Sequence, residues 1–250
     1  MGAKLWKGAV GIALLLAIWQ LAAVHYDSVL FPTPVQVLRS WWELLAGGTL
    51  GAHIATSLAR FVVGYITAAL CGIVAGLLFG WFAGAWLFVD PVIQLLRPVS
   101  PLAWTPFIVL WFGIGDIPAV VIIFISVFYP VLLATVAAVG RVEKIYLRVA
   151  QNFAFTRFQT LTKIVLPASF PQISTGLHQG IGTGWVFLVA GEMVGAQSGL
   201  GYLIIDSRNN LRPDWLLVAI LTIGALGLLL DTAVNRGEKQ IYKKWGGAKR

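Results

Sequence analysis

Glu192 is the first candidate for a functional side chain, because it is a carboxylic acid in an otherwise apolar run over 175–196. An ionisable group inside an apolar span is costly and usually faces the interior of a helix bundle. Two roles follow for it. Glu192 is a gate or a packing hydrogen bond, or it is a structural carboxyl satisfied by a neighbouring Ser, Trp or backbone group. Direct binding of an anion by Glu192 is not expected, because like charges repel.

Other catalytic chemistry finds little support. His178, one of three histidines, has no carboxylate or cysteine at metal-ligand spacing, and Cys71 is the one cysteine, so we assign no metal site. No G-x-x-x-x-G-K-[ST] loop is present to cradle a phosphate. A membrane enzyme would need a Ser/His or metal constellation, which the sequence lacks. We therefore assign no catalytic residue.

A proline cluster marks a second candidate site. Between Asp90 and Asp116, four prolines interrupt an apolar stretch, and they cannot occupy one straight helix without loss of backbone hydrogen bonds. Broken backbone inside a membrane survives where protein or a water-filled cavity satisfies it, and it often marks a transport pathway. The alternative is a kinked packing helix or a cytoplasmic elbow. The candidate pathway or gate residues here are Arg97, Pro101, Trp104 and Pro106.

A third candidate is the polar loop over 140–172. Residues Ile145–Lys163 have helical periodicity, and we expect that helix to end before Pro167. An exposed aromatic patch needs a partner, because it would otherwise favour aggregation. One alternative is a helix lying flat on the lipid surface, and the other is a helix that docks in a groove of another subunit. The patch consists of Phe153, Phe155 and Phe158.

The elements that must position these residues are membrane spans. Hydrophobic residues make up 58% of the 250-residue chain and charged residues 11%, where about 25% charged is usual for a soluble domain. A soluble domain of this size cannot hide so much apolar surface. Each span takes about 20 apolar residues, and apolar stretches occur near 6–24, 54–82, 86–113, 117–139, 175–196 and 214–233. A signal peptide is an alternative for the first stretch, which we interpret as a retained helix.

The basic residues orient these spans. The net charge is +8, but the distribution indicates membrane orientation rather than nucleic-acid binding, and no nucleic-acid partner is expected. Most Lys and Arg residues lie before residue 8, within 140–172 or after residue 235, including Lys249 and Arg250. The exceptions are Arg39, Arg60, Arg97, Arg208 and Arg212. The positive-inside rule then predicts six spans with both termini in the cytoplasm.

Glycine spacing predicts one helix contact. The fifth span contains Gly180-x-x-x-Gly184 and Gly191-x-x-x-Gly195. Small residues four apart allow two helix backbones to approach closely. We expect this span to pack tightly against another helix.

The loop over 140–172 resembles the cytoplasmic "EAA" loop of ABC importer permeases. That pattern is Glu-Ala-Ala, a Gly four residues after the last Ala, and Ile-x-Leu-Pro ten residues after that Gly. The spacing here matches, with Ala150, Ile164, Leu166 and Pro167 identical to the pattern. Arg148, Val149 and Ala154 replace its Glu, first following Ala and Gly. Because Ala is less permissive than Gly, we expect a right-handed turn at Ala154.

Further segments are similar to one branch of that family, the permeases of nitrate, sulfonate, taurine and bicarbonate importers. They span roughly 55–232 in the family's order and spacing. The segments are Arg97-Pro98-Val99-Ser100-Pro101-Leu102-Ala103-Trp104-Thr105-Pro106, Trp111-Phe112-Gly113-Ile114-Gly115-Asp116, Thr175-Gly176-Leu177, Val189-Ala190-Gly191-Glu192-Met193 and Ser198-Gly199-Leu200-Gly201-Tyr202.

The resemblance implies an all-α integral membrane protein with the type I ABC importer permease architecture. It implies a second permease, two cytoplasmic ATPases that carry ATP and Mg²⁺, an extracytoplasmic substrate-binding protein, and no cofactor in this chain. The coupling-helix residues that it implies are Arg148, Ala150, Phe153, Ala154, Phe155, Thr156, Arg157, Phe158, Leu161, Ile164, Leu166 and Pro167. Arg157 could pair there with an acidic rim on the ATPase.

We therefore expect residues 1–250 to form a single transmembrane permease domain in a bacterial inner membrane, with 140–172 as its cytoplasmic coupling loop. The expected function is import of a small anion such as nitrate, bicarbonate or a sulfonate. The alternative is a stand-alone secondary transporter or channel, which would need internal repeats or its own gate.

Overall fold

The computed structural model describes residues 2–26 and 30–244, and the regular structure within these ranges is helical. A 3-10 turn over Pro101–Trp104 precedes α5, and a π turn over Leu161–Val165 joins α8 to α9. Lys249 and Arg250, counted above in the basic tail, lie outside the described residues. The helices are α1 (Gly2–Tyr26), α2 (Pro34–Ala46), α3 (Thr49–Trp81), α4 (Ala83–Leu96), α5 (Thr105–Phe112), α6 (Asp116–Gly140), α7 (Lys144–Asn152), α8 (Arg157–Thr160), α9 (Leu166–Gly195), α10 (Leu200–Asn209) and α11 (Pro213–Lys244).

Four of the described helices are long and apolar enough to cross a membrane, namely α1, α3, α6 and α11. Two more candidate spans come from helix pairs separated by short breaks. One pair is α4 with Pro101–Phe112, and the other is Arg157–Gly195 with α10. Counted in this way, the described residues contain up to six spans, and each contains one of the apolar stretches read from the sequence.

The chain divides into two compact units. The first comprises the described residues of Met1–Ser57 and Ser198–Ala225. Its helix α2 begins with a capping box, in which the Thr33 hydroxyl accepts from the Gln36 N–H and the Gln36 side chain accepts from the Thr33 N–H. A hydrogen bond of 2.6 Å from the Ser40 hydroxyl to Asp214 joins α2 to the start of α11. These contacts fix the short helix that follows the first span.

The second unit comprises the described residues of Leu58–Gln197 and Leu226–Arg250. Its centre is the contact between α6 and α9, which glycines make possible. A Cβ added at Gly184 would lie 2.7 Å from a methyl of Val127, and one at Gly191 would lie 3.0 Å from Ile122. The close approach predicted from the two small-residue patterns is therefore confirmed.

A second glycine row brings α3 against α6. A Cβ at Gly64 would lie 2.8 Å from Cβ of Ile123, and one at Gly80 would lie 2.6 Å from Cβ of Val139. This row also includes Gly72 and Gly76. This row was not anticipated from the sequence. Helix α6 thus has close-packed neighbours in both α3 and α9, and its inward residues, such as Ile122 and Val127, are fully buried.

The proline cluster produces a sharp break. Helix α4 contains Pro91 and ends at Leu96, and its direction differs by 85° from that of the segment Pro101–Phe112. Proline lacks the backbone N–H and disfavours the helical conformation of the preceding residue, and Ser100, just before Pro101, is extended with ψ 133°. The expectation that this stretch is not one straight helix is confirmed.

Candidate functional site

The turn after α7 is a Schellman motif, a helix end closed by two backbone hydrogen bonds around a left-handed residue. The Ala154 N–H donates to the Gln151 carbonyl and the Phe155 N–H donates to the Ala150 carbonyl, each at 3.0 Å. Ala154 has φ 52°. These two bonds require a left-handed residue at Ala154, a position that glycine usually occupies. The prediction of a right-handed turn at Ala154 was therefore wrong.

The predicted helix over Ile145–Lys163 was also wrong in its continuity. Helix α7 ends at Asn152, and α8 starts afresh with its own capping box. In that box the Thr156 hydroxyl accepts from the Gln159 N–H at 3.2 Å, and the Gln159 side chain accepts from the Thr156 N–H at 2.9 Å. A turn residue followed by a Thr-x-x-Gln box is a signal in the sequence that could have located this break.

Pro167 does not end a helix, contrary to the expectation. It lies in the first turn of α9, which continues directly from the π turn over Leu161–Val165. In this turn the Leu166 N–H donates to the Leu161 carbonyl, five residues back. The wider π turn shifts the hydrogen-bond register just before Pro167, whose nitrogen cannot donate. The helix therefore passes the proline without a break.

The loop presents aromatic side chains to its surroundings. Phe153 and Phe158 are each 73% exposed, whereas Ala150 is buried beneath the turn. The Phe155 ring lies 6.5 Å from that of Phe153, and the Lys163 ammonium lies 5.7 Å from the Phe155 ring centre. Of the other predicted coupling residues, the exposed ones are Arg148, Ala154, Thr156 and Arg157, and the half-buried ones are Leu161, Ile164, Leu166 and Pro167. The described residues therefore leave most of the Phe153 and Phe158 side chains unburied.

Glu192 is fully buried in α9 and forms an ion pair with Arg60 of α3. The Arg60 Nη1 lies 2.8 Å from Oε1 of Glu192, and the Arg60 side chain is 3% exposed. Arg60 also binds Asp116, at the start of α6, with Nε 2.8 Å from Oδ1. From the sequence, Ser, Trp or backbone partners were expected for Glu192, and Arg60 was counted only among the basic residues outside the three basic regions. An arginine inside an apolar span was the signal that could have paired the two.

This cluster of Arg60, Asp116 and Glu192 joins three helices at one end of the second unit. The Gly115 N–H, just before α6, donates to the Gly195 carbonyl at the end of α9, at 2.9 Å. The start of α6 and the end of α9 therefore lie together. This arrangement holds the three helices together, because the buried Arg60 binds a carboxylate of α6 and a carboxylate of α9 at the same time.

The break after α4 lines a separate cavity of about 530 Å³. Of the predicted pathway residues, Arg97 and Pro101 line this cavity together with residues of α6 and α9. Trp104 and Pro106 do not line it. The Trp104 ring instead lies 6.5 Å from that of Phe107, and Pro106 is in the first turn of α5. The structure thus separates the predicted pathway group into cavity-lining and packing residues, and Glu192 belongs to a different cluster.

No group of three or more His, Cys, Asp or Glu side chains among the described residues has the geometry of a metal site.

In the first unit, a hydrogen bond with Asp214 raises the pKa of the Arg212 guanidinium. Arg212 also lies 4.2 Å over the Trp215 ring. These interactions order the turn before α11.

Comparison with known proteins identifies the fold and the family. The profile of the family "binding-protein-dependent transport system inner membrane component" matches residues 40–243. The taurine transport system permease protein TauC of Escherichia coli K12 is 35% identical over 243 residues, covering 94% of this chain and 88% of that protein. The nitrate import permease protein NrtB of Synechocystis sp. PCC 6803 is 35% identical over 237 residues, covering 91% of this chain and 86% of that protein.

A solved structure shares the fold. An inward-facing conformation of the MetNI methionine ABC transporter superposes with a TM-score of 0.56 at 16% identity, and the match covers 74% of this chain and 96% of that chain. The multi-pass helical architecture, the family match and the permease relatives agree. This chain belongs to the binding-protein-dependent transport system inner membrane components and is the permease subunit of an ABC importer.

Proposed function

We propose that this chain works as one half of a homodimeric permease that imports a small anion, driven by two cytoplasmic ATPase subunits. ATP and Mg²⁺ bind on the ATPases, and this chain carries no cofactor and performs no catalysis of its own. A substrate-binding protein delivers the solute from outside. The observation that carries the proposal is the aromatic turn after α7, whose Phe153 and Phe158 side chains are each 73% exposed in the described chain.

The coupling step follows from the geometry of that turn. The left-handed Ala154 separates the end of α7 from the start of α8, and Phe153 and Phe158 on either side of it are both exposed. Aromatic side chains on a short helical turn are suited to insertion in a groove of a partner. Because α8 continues through the π turn into α9, a push on α8 is transmitted to the helix that contains Glu192. Arg148 and Arg157 supply positive charge beside that turn for an acidic rim.

The proposed orientation has this turn in the cytoplasm, the side that the positive-inside rule favours for the basic residues of 140–172. Both termini then lie in the cytoplasm, and the α2 segment lies outside. A reporter fused after residue 250 tests this orientation. Alkaline phosphatase fused there should be inactive and green fluorescent protein fluorescent, and the opposite result would reverse the proposed orientation.

The substrate class is proposed from the relatives, whose names state taurine and nitrate. Both solutes are small and carry an oxygen-rich group that a guanidinium can bind. Arg97, Pro101, Trp104 and Pro106 form the proposed pathway region, and Glu192 acts at the bundle interior as a gate or packing contact. Lipid surrounds the exposed apolar faces of the spans.

The decisive experiment is uptake by the reconstituted complex. The chain is purified together with its partner ATPase and binding protein, identified by co-purification, and placed in proteoliposomes containing ATP. Uptake of radiolabelled taurine, nitrate and bicarbonate is then measured, and an ATPase variant that cannot hydrolyse ATP serves as the control. We expect uptake of one of these anions only with active ATPase. Uptake by the chain alone would instead indicate a secondary transporter or channel.

A further inference from the structure

The cavity beside the α4 break is built from three walls of the second unit. One wall is the break itself, with Arg97 and Ser100, and the other two are the central turns of α6 and α9. Tyr129 projects from α6 and Gln179 from α9. These turns lie midway along α6 and α9, so the cavity faces the middle of both helices rather than their ends. Its volume of about 530 Å³ exceeds that of a few water molecules and suits a small solute.

The charged lining of this cavity has one sign, which is positive. Arg97 is its charged lining residue, and no Asp or Glu lines it. Within the ranges 2–26 and 30–244, Arg97 makes no ion pair and no side-chain hydrogen bond. An arginine stays protonated in proteins. The cavity therefore contains a positive charge that the described part of the chain does not neutralise.

The contrast with Arg60 is informative. Arg60 also lies within a span, but Glu192 and Asp116 bind it directly. Its charge is used inside the protein, and it has little capacity left for a solute. Arg97 is exposed to the cavity and retains its five N–H donors among the described residues.

The remaining lining divides into donors and apolar walls. The Ser126 and Thr183 hydroxyls already donate to backbone carbonyls of their own helices, whereas the Tyr129 hydroxyl and Gln179 amide have no such bond in the described structure. Ile125 and Phe187 provide apolar surface beside them. The cavity lining thus combines one cation, two neutral polar groups and apolar surface.

We propose that this cavity is a binding site for the anion within the permease, with Arg97 as the counter-charge that gives the permease its own selectivity. This inference rests on the proposed import of a small anion. The guanidinium fork matches a planar or tetrahedral oxyanion such as nitrate or a sulfonate, because two parallel N–H donors meet two oxygens. Tyr129 and Gln179 supply further donors, and the apolar wall takes the short carbon chain of an organic sulfonate.

The test uses the complete complex of permease, ATPase and binding protein in proteoliposomes. The probes are taurine, nitrate and bicarbonate, and two quantities are measured for each variant, ATP-driven uptake and the ATP hydrolysis stimulated by the loaded binding protein. We expect Arg97→Gln to lower uptake about tenfold or more while stimulated hydrolysis stays within twofold of wild type. Arg97→Lys should retain part of the uptake. Arg208→Gln, an exposed arginine outside the cavity, is the matched control and should transport normally.

Charge rescue separates binding from structure. In a Cys71→Ser background, which removes the one native cysteine, Arg97→Cys is treated with a methanethiosulfonate reagent that attaches an aminoethyl group. A second sample receives the sulfonatoethyl reagent of similar size. We expect the cationic adduct to restore uptake at least threefold and the anionic adduct to restore none. This comparison remains decisive even if Arg97→Gln assembles poorly, because both samples start from one assembled protein.

The outcomes distinguish the two levels of proposal. If the wild-type complex takes up none of the three anions, the proposed function fails. If the wild type transports an anion but Arg97→Gln transports it within twofold, or both adducts restore uptake equally, the cavity is not the anion site and the proposed function still stands.

Discussion

Arg60 and Glu192 lie 132 residues apart in the sequence, and their side chains form an ion pair of 2.8 Å in which both groups are almost completely buried. Asp116, whose side chain is 72% exposed, binds the other edge of the same guanidinium. One cation thus joins α3, α6 and α9. Removing a partner from such a pair costs more than the pair contributes, because the remaining charge stays buried without compensation.

Replacing Arg60 should therefore destabilise the permease strongly. We expect Arg60→Ala to lower its stability by about 3–5 kcal/mol, since the buried Glu192 would lose its ion pair with Arg60, and to lower the Tm by roughly 10 °C. The measurement is the Tm of the purified protein in detergent by intrinsic Trp fluorescence. Arg208→Ala, at an exposed position, should leave the Tm unchanged. An Arg60→Ala protein with the wild-type Tm would contradict a structural role for the cluster.

Glu192→Gln tests whether the carboxylate acts beyond packing. The amide keeps the size of the side chain and one acceptor oxygen, and Arg60 keeps its bond to Asp116, so the assembled complex should survive. We expect uptake to fall severalfold because the charge that holds Arg60 against α9 is lost. Assembly is followed by size-exclusion chromatography and uptake in proteoliposomes. Full transport together with full assembly would remove Glu192 from the mechanism.

Two glycines of α9 offer a matched pair for the contact with α6. A Cβ at Gly184 would lie 2.7 Å from Val127, whereas one at Gly182 would meet nothing within 4 Å. Gly184→Ala should therefore cost about 1–3 kcal/mol through overpacking. Gly182→Ala should be neutral or slightly stabilising, because alanine favours the helix. Thermal unfolding in detergent measures both, and equal effects of the two changes would refute the close packing described here.

The left-handed turn at Ala154 should be stabilised by glycine and destabilised by a β-branched residue. Ala154→Gly relieves the left-handed strain on alanine, which is worth about 0.5–1 kcal/mol after allowing for the greater freedom of the unfolded chain. Amide exchange of Phe155, measured by mass spectrometry on the peptide that contains it, should slow about two- to fivefold. Ala137→Gly, at an exposed position in the last turn of α6, should instead speed exchange locally.

Ala154→Val extends this test to function. A β-branched residue strongly disfavours φ near 52°, so the Schellman turn should open and ATPase binding should fall. Co-purification of the ATPase with the tagged permease measures this loss. Wild-type recovery of the ATPase with valine at this position would show that coupling does not need the left-handed turn.

The exposed phenylalanines should decide ATPase affinity. Phe153→Ser and Phe158→Ser each remove an aromatic side chain that the fold leaves 73% exposed, so the Tm of the isolated permease should not change. Burial of a Phe at an interface is worth about 1.5–3 kcal/mol, and each change should weaken ATPase binding roughly tenfold or more. Phe88→Ser in α4, which is 84% exposed, is the control. Tight ATPase binding by both loop variants would place the coupling surface elsewhere.

Much of the architecture was accessible to sequence reasoning. Apolar run length places the spans, because each must satisfy its own backbone in lipid, and helices such as α6 and α11 coincide with runs identified by hydropathy. The spacing of Gly180 and Gly184 indicated a helix contact, because two small residues four apart allow another helix backbone to approach closely. Residue spacing also located the loop resembling that of ABC permeases, although three of its positions differ from the pattern.

Local conformation was less accessible where two rules compete. Alanine prefers right-handed geometry, which argued for a right-handed turn at Ala154, but the hydrogen bonds that close α7 outweigh that preference. Proline usually ends a helix, which argued for a boundary before Pro167, but a π turn absorbs its missing donor. In both cases the energy of a hydrogen-bonded network outweighed a single-residue preference of about 1 kcal/mol or somewhat more.

The sequence by itself determined that this protein crosses a membrane, how its basic residues are distributed and which loop carries an aromatic patch, because these properties depend on composition and on spacing within one helix. The tertiary structure decided that Arg60 neutralises Glu192 while Arg97 faces a cavity without a carboxylate. Both arginines lie in comparable apolar stretches, so nothing local distinguishes them. Only the packing of α3, α6 and α9 brings a carboxylate to one and leaves the other available, since electrostatic energy depends on distance in space and not on separation along the chain.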